Sequence, residues 1–246
     1  MKRVRLIISY DGTNYCGWQV QINGITVEEI INRELSNLLG EEITVIGASR
    51  TDSGVHAIGN VAVFDTETKI PAEKISFALN QRLPDDIRIQ KSEEVSADFH
   101  PRYCDSTKTY EYKILNRKFP DPLNRLYTYF VYMPLDVKKM KMAAEYLVGE
   151  HDFASFCSAG SQVKTTTRII YVLDITKERD MINIRISGNG FLYNMVRIIV
   201  GTLLKVGLGV YPPEHVKEIL EAKDRYQAGP KAPARGLTLF GIEYKE

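Results

Sequence analysis

Residues 47–57 read Gly-Ala-Ser-Arg-Thr-Asp-Ser-Gly-Val-His-Ala and lie between two runs rich in β-branched residues, 42–46 and 60–64. The flanking runs predict strands, so the quoted stretch is predicted to be the loop that joins them. Catalytic and binding side chains concentrate on loops that a rigid scaffold positions. This loop is therefore the first candidate functional segment of the chain.

Asp52 is the group that this loop is expected to present. Ser53 and Gly54 let the backbone turn sharply straight after its carboxylate. Arg50 and His56 lie close by in sequence, so one short loop gathers a cation, a carboxylate and an imidazole. Two interpretations stay open at this point: an Asx-turn, in which Asp52 caps its own backbone, and an active-site loop.

Composition indicates a globular protein whose charges almost cancel. The 246 residues are 44% apolar and 26% charged, with 32 Lys and Arg against 31 Asp and Glu. A chain of this length buries a substantial core. The net charge of +1 means that a nucleic-acid partner would have to be bound by local basic patches.

The cysteines and histidines favour cytoplasmic, cofactor-free chemistry. Three scattered cysteines form no Cys-x-x-Cys motif, which fits a reducing compartment and argues against a disulfide framework. The four histidines show no metal-ligand spacing, and no glycine-rich loop matches a phosphate-binding fingerprint. No run is long and apolar enough to span a bilayer, and the N-terminus lacks a signal-peptide core. We expect no metal, no cofactor and no membrane contact.

The first half, residues 1–104, predicts the order β-α-β-β-α-β of a split βαβ unit. Thr26 and Glu29 form a capping box ahead of an amphipathic helix that Gly40 ends. A second helix is predicted at 71–80 and a strand at 87–95.

The second half, residues 105–246, predicts a similar α+β unit. Its predicted strands and helices are strands 107–115 and 127–132, a helix at 137–148, a hairpin of 168–175 with 181–186, helices at about 191–206 and 213–222, and a strand at 238–244. We expect the two sheets to join into one extended antiparallel sheet flanked by helices. The active-site cleft would then lie between two halves of one compact catalytic unit.

Arg197 lies in the middle of the predicted helix 191–206, which is apolar on nearly every face and is therefore predicted to be buried. A buried guanidinium without a partner costs several kcal/mol. A structural ion pair is one interpretation. If the partner is Asp52 instead, Arg197 keeps that carboxylate ionised and fixes its rotamer.

Tyr110 lies on the aromatic face of the strand 107–115. Such a ring usually belongs to a core, but beside a carboxylate site it is also a platform for a nucleobase. Basic and aromatic residues mix along the segment 99–118, which predicts either an RNA-facing rim or a solvated face.

Six ordered blocks of the chain resemble the bacterial tRNA pseudouridine synthase A family. They are Tyr10-Asp11-Gly12-Thr13 with Gly17-Trp18-Gln19; 47–57; 99–102 with 109–112; 151–153; 190–193 with 195–197; and Gly229-Pro230 with Ala232-Pro233. An isolated Arg-Thr-Asp match would be weak evidence for a family, whereas six ordered matches over the whole chain are specific to this one.

The resemblance implies isomerisation of uridine to pseudouridine at positions 38, 39 and 40 of the tRNA anticodon stem-loop. It implies that Asp52 is the catalytic aspartate, that Arg50 helps to displace the target nucleotide, that Tyr110 stacks on the flipped base and that Arg197 pairs with Asp52. It also implies a homodimer that holds tRNA in a basic cleft lined by both subunits.

Three residues depart from the pattern: Lys108 replaces an arginine, and Pro101 and Asp105 replace alanines. These changes bear on RNA contacts and not on the reaction class. His56 is assigned a structural role, because the implied chemistry does not require it.

Two other functions stay open from the residues alone. One is a non-catalytic RNA-binding module that keeps this fold. The other is an N-glycosidic hydrolase, although a hydrolase would more often need a second acid or base, and the sequence offers no clear one.

Overall fold

The computed structural model describes residues 1–160 and 163–245. In chain order, its strands within those residues are β1 (Lys2–Tyr10), β2 (Ile46–Gly47), β3 (His56–Thr66), β4 (Ile87–Val95), β5 (Ser106–Asn116), β6 (Tyr129–Val131), β7 (Gly149–Asp152), β8 (Thr167–Glu178), β9 (Met181–Gly188) and β10 (Leu237–Tyr244). The α-helices of the same residues are α1 (Val27–Leu39), α2 (Ala72–Asn80), α3 (Val137–Glu145), α4 (Met195–Gly207) and α5 (His215–Ala222). The predicted α+β class is confirmed.

The chain divides into two compact units, residues 1–106 with 238–246, and residues 107–237. In the first unit the strands that precede residue 106 follow the order β4-β1-β3-β2, and β10 lies parallel to the first residues of β3. The β1–β3, β1–β4 and β2–β3 pairs are antiparallel. This order is the one that a split βαβ unit produces, as predicted.

Strand β1 shows why this sheet forms. Alternate residues Val4, Leu6 and Ile8 are fully buried, while the residues between them are partly exposed. Such alternation places one face of the strand on a core. The strand that ends at Tyr10 thereby delivers the following segment, residues 10–18, to one end of the sheet.

Helix α1 forms where its local signals predict it. Thr26 and Glu29 make the reciprocal capping box, and Gly40 ends the helix in the left-handed conformation with φ at 69°. The strand expected at 42–46 is shorter than predicted and comprises only β2. The amides of Ile43 and Val45 donate to the side chains of Ser36 and Asn32 on α1, which leaves them out of the sheet.

In the second unit the order is β5-β9-β8-β7, all antiparallel, with β6 parallel to β5. The predicted hairpin is confirmed as β8 and β9. The predicted strand 127–132 is wrong except at 129–131, because the Tyr127 amide and the Thr128 hydroxyl both donate to the carbonyl of Asn124 in a turn.

Three predicted helix boundaries in the second unit also need correction. The helix predicted at 137–148 stops at Glu145, because the amides of Leu147 and Val148 donate to the carbonyls of Ala144 and Glu145 in a turn, and the unpredicted strand β7 then begins at Gly149. The helix predicted at 191–206 begins at Met195, because Asn194 is left-handed with φ at 61°. The helix predicted at 213–222 begins at His215, after a turn in which the His215 amide donates to Pro212.

Candidate active site

The loop between β2 and β3 is closed by backbone hydrogen bonds of its own. The amide of Ala48 donates to the carbonyl of Val61 at 2.7 Å. The amide of Val55 donates to the carbonyl of Asp52 at 3.1 Å, and Gly54 has a φ of 75°. The sharp turn predicted directly after the Asp52 carboxylate is therefore confirmed.

Buried side chains hold the loop from behind. The hydroxyls of Tyr10 and Thr51 lie 2.7 Å apart. The side-chain amide of Asn60 donates to the Ser49 carbonyl at 3.1 Å and to the Tyr10 hydroxyl at 3.3 Å. These contacts fix the residues on either side of Arg50. Sequence reasoning missed this network, although a fully buried asparagine in an apolar strand is the signal that could have found it.

Glycines in the segment 10–18 let that segment pack directly against the loop. A Cβ atom on Gly12 would lie 2.0 Å from the carbonyl oxygen of Val55. A Cβ atom on Gly17, whose φ is 88°, would lie 2.5 Å from the carbonyl oxygen of Thr51. The next amide, that of Trp18, donates to the same Thr51 oxygen at 3.1 Å. Only residues without a side chain permit this approach.

Exposure alternates along the tip of the loop. Ser49 and Thr51 are buried, whereas Arg50 is exposed and Asp52 is partly exposed. The loop therefore turns two hydroxyl residues inward and presents a guanidinium and a carboxylate. This arrangement suits a reaction that needs one carboxylate on a rigid support.

His56 is a buried part of the scaffold, with 4% of its surface exposed. The amide of Gly12 donates to its Nδ1 at 3.1 Å. The Asp11 carboxylate lies 3.1 Å from the same nitrogen and also accepts the Thr13 amide at 2.9 Å. This bonding supports the structural role that the sequence gives to His56.

A second arginine is anchored where the loop begins. The Arg102 Nε donates to the carbonyl of Gly47 at 2.6 Å. Burial, and after it the positive charge of Arg50, lowers the pKa of Arg102 from its usual range. Two guanidiniums therefore lie near one another beside the loop. Sequence reasoning placed Arg102 in a basic segment without seeing this bond to the loop.

Tyr110 lies in β5, opposite Ile186 of β9, and only 7% of its surface is exposed. The Phe191 ring contacts it edge-on, with centroids 5.3 Å apart and planes at 89°. The position of the Tyr110 ring is thus fixed by packing within the second unit.

Arg197 is buried in α4, as predicted, with 8% of its surface exposed. Its Nε donates to the carbonyl of Ala232 at 2.8 Å, and its Nη1 donates to the side-chain oxygen of Asn194 at 3.1 Å. The Ala232 amide donates back to the Arg197 carbonyl at 3.0 Å. These bonds orient the guanidinium. Its pairing with Asp52 stays a prediction.

Close packing of residues 229–232 against α4 makes this orientation possible. A Cβ atom on Gly201 would lie 1.7 Å from the carbonyl oxygen of Pro230. The Gly229 amide donates to the hydroxyl of Thr202 at 2.9 Å. The glycine in the helix therefore brings the Ala232 carbonyl within reach of Arg197.

Within residues 1–160 and 163–245, no cluster of three or more His, Cys, Asp or Glu side chains could hold a metal ion. No helix in those residues is long and apolar enough to cross a membrane.

Comparisons with known proteins match nearly the whole chain. A family model described as tRNA pseudouridine synthase matches residues 6–104 and 143–245. The tRNA pseudouridine synthase A of Thermoanaerobacter sp. (strain X514) is 52% identical over 244 residues, which cover 99% of this chain and 100% of that protein. The protein of the same name from Acetivibrio thermocellus is 50% identical over 244 residues, with the same coverage.

Proposed function

Since this chain belongs to the tRNA pseudouridine synthase family, we propose that Asp52 is its catalytic residue and that its target uridines occupy positions 38, 39 and 40 of the anticodon stem-loop. The protein is an isomerase that acts on tRNA. The observation that carries the assignment of Asp52 is the loop itself, which holds this carboxylate on a braced turn, directly after the buried Thr51.

The reaction needs no oxidant, no reductant and no net water. The bond from N1 of uracil to C1′ of the ribose breaks, the base turns, and C5 bonds to C1′. The C5 hydrogen leaves as a proton and N1 carries one in the product, so the product has the mass of the substrate. One carboxylate suffices to attack or to accept a proton, provided that its position is fixed.

The braced loop supports this proposal, because it fixes the backbone that carries the carboxylate. Thr51 is held by the Tyr10 hydroxyl and by the Trp18 amide, and Val55 closes the turn on the other side of Asp52. A carboxylate held in this way loses little conformational freedom when the substrate binds. An Asx-turn alone would not require two glycines and a buried asparagine behind it.

The other roles follow from the chemistry of base flipping. A glycosidic bond in a stacked stem is shielded, so the target nucleotide must leave the stack. We assign the exposed Arg50 to displacing it, and the fixed ring of Tyr110 to stacking on the extruded base. We assign Arg197 to pairing with Asp52, since its guanidinium is oriented by Ala232 and Asn194.

We further propose that the protein works as a homodimer in the cytoplasm. A net charge of +1 leaves a single chain without a general attraction for tRNA. Two copies that line one cleft would concentrate lysines and arginines on one surface. The tRNA substrate and three free cysteines support a cytoplasmic location.

Incubation with unmodified tRNA transcripts tests the target positions. Each of three transcripts would carry uridine at only one of positions 38, 39 and 40. A fourth transcript would carry cytidine at all three positions. Carbodiimide labelling and primer extension should detect pseudouridine in the first three transcripts and none in the fourth. Free uracil in the mixture would indicate a hydrolase, and tRNA binding without modification would indicate a binding module.

A further inference from the structure

One tyrosine near the candidate active site is exposed yet held in place. Tyr103 is 82% exposed, and its ring stacks on the ring of His100 with centroids 4.1 Å apart and planes at 21°. The amides of Tyr103 and Cys104 both donate to the His100 carbonyl at 3.1 Å. The two rings therefore form a stack, and most of the tyrosine ring remains open to solvent.

The turn that carries this stack is anchored on both sides. The carbonyl of Phe99 accepts a hydrogen bond from Arg3 at 3.1 Å, and the Phe99 ring contacts Tyr244 edge-on at 4.9 Å. The Tyr244 hydroxyl donates to the carbonyl of Pro101 at 3.0 Å. An exposed ring on such a turn pays little conformational entropy when it binds a partner.

The same turn is tied to the candidate active site. Arg102 directly precedes Tyr103. Its Nε donates to the carbonyl of Gly47, at the start of the loop that carries Asp52. Burial is the larger cause of the lowered pKa of Arg102, and the positive charge of the nearby Arg50 is the second. Among the described residues, neither guanidinium has a carboxylate within 4.0 Å. The charge of Glu28 acts on Arg102 from a greater distance and raises its pKa, but the two guanidiniums together still leave positive charge for an anionic partner.

A flat open ring beside two available guanidiniums matches the chemistry of a nucleotide. A base stacks on an aromatic face, and a guanidinium binds the phosphate that follows it. An aromatic residue at a protein interface would not need the two cations, and an acidic peptide would not need the ring. If Asp52 is the catalytic residue, as proposed above, the tRNA substrate places nucleotides at this loop.

We propose that Tyr103, backed by His100, is a stacking platform for an unpaired nucleotide of the tRNA beside the target uridine, and that Arg102 binds the phosphate of that nucleotide. The proposal deepens the proposed function, since it rests on the loop of Asp52 being the active site. Tyr103 is then a binding residue and not a catalytic one.

Equilibrium binding of unmodified tRNA by the full-length chain tests this proposal, because it does not depend on turnover. Tyr103→Ala should weaken binding by about 10-fold, the typical loss of one base–aromatic stack. Tyr103→Phe keeps the flat ring and should bind like the wild type. Arg102→Gln should reduce the slope of log K against log salt by about one. Thermal unfolding of each variant checks that it is folded.

Phe77→Ala is the matched control. Phe77 is 68% exposed in the same unit, and the Lys74 ammonium lies 5.5 Å from its ring centroid. This substitution should leave tRNA binding unchanged. Wild-type binding by Tyr103→Ala, or an equal loss in Phe77→Ala, would overturn the proposal.

Sedimentation of Tyr103→Ala separates RNA binding from self-association. A change in oligomeric state would show that Tyr103 contacts a second copy, and it would overturn the proposal. A wrong assignment of Asp52 would give a different result. An Asp52 variant would then keep full activity, and its tRNA binding would still depend on Tyr103.

Discussion

The carbonyl oxygen of Thr51 lies 2.5 Å from the point that a Cβ atom on Gly17 would occupy. The chain before α1 and the loop that carries Asp52 are therefore in backbone contact. Any side chain at position 17 must push the loop away or distort its own backbone, because φ is 88° there.

Gly17→Ala is predicted to destabilise the fold and to reduce activity together. Left-handed strain and overpacking add to roughly 2–4 kcal/mol. Gly40→Ala is the matched control, since Gly40 also has a positive φ but has nothing within 4 Å of the added Cβ. It should cost about 1 kcal/mol and leave activity unchanged. Equal losses in urea unfolding would contradict the contact with Thr51.

Tyr10→Phe is predicted to lower kcat by more than the accompanying loss of folded protein can explain. The substitution leaves the Thr51 hydroxyl and the Asn60 amide each short of one hydrogen bond behind the loop. The stability loss should be about 1–2 kcal/mol. Ser155→Ala, which removes a buried 2.6 Å bond from a hydroxyl to the Ile219 carbonyl, is the control and should destabilise without lowering kcat at saturating tRNA. A Tyr10→Phe enzyme with normal kcat would show that the network does not position Asp52.

Arg197→Met is predicted to abolish activity and to destabilise the protein by roughly 3–6 kcal/mol, because two hydrogen bonds from a charged donor are lost. The double-mutant cycle with Asp52→Asn tests the pairing itself. A coupling energy of about 1 kcal/mol or more in urea unfolding would support a direct interaction. A coupling energy near zero would contradict a direct interaction between Arg197 and Asp52.

The pH dependence of stability should contain a contribution from Asp65. Arg3 donates to both of its carboxylate oxygens, at 2.8 and 2.7 Å, and these hydrogen bonds lower the pKa of Asp65. Stabilisation by a lowered pKa is present above the unfolded value of about 3.9 and is lost as the pH falls through the folded value. Asp65→Asn should therefore melt below the wild type at pH 7, and the two melting temperatures should converge in acid. A constant difference across pH would contradict this account.

Sequence reasoning identified the elements whose signals are local. The capping box of Thr26 with Glu29 sets the start of α1, and Gly40 sets its end. The loop of Asp52 was found because glycine and serine surround a lone carboxylate between two strand-like runs. These features depend on residues that are close together in the chain, so the sequence alone is enough to predict them.

The features that sequence reasoning missed depend on partners far along the chain. Asn60 acts on Ser49 and Tyr10, and Arg102 acts on Gly47, 55 residues away. Helix α4 starts late because Asn194 takes a left-handed backbone that no local apolar pattern reveals. The glycines at positions 12, 17 and 201 were visible, but the backbone that each one contacts was not.

The role of Asp52 is tested most directly by Asp52→Asn, which keeps the size of the side chain and removes its charge. Asp85→Asn, in a loop where the aspartate side chain is fully exposed, is the matched control. Both proteins would be incubated with unmodified tRNA under single-turnover conditions, with carbodiimide mapping of the product and a parallel measurement of tRNA binding. We predict that Asp52→Asn folds and binds tRNA but forms no pseudouridine, while Asp85→Asn is fully active. Pseudouridine formed by Asp52→Asn at the wild-type rate would contradict the assignment of Asp52 as the catalytic residue.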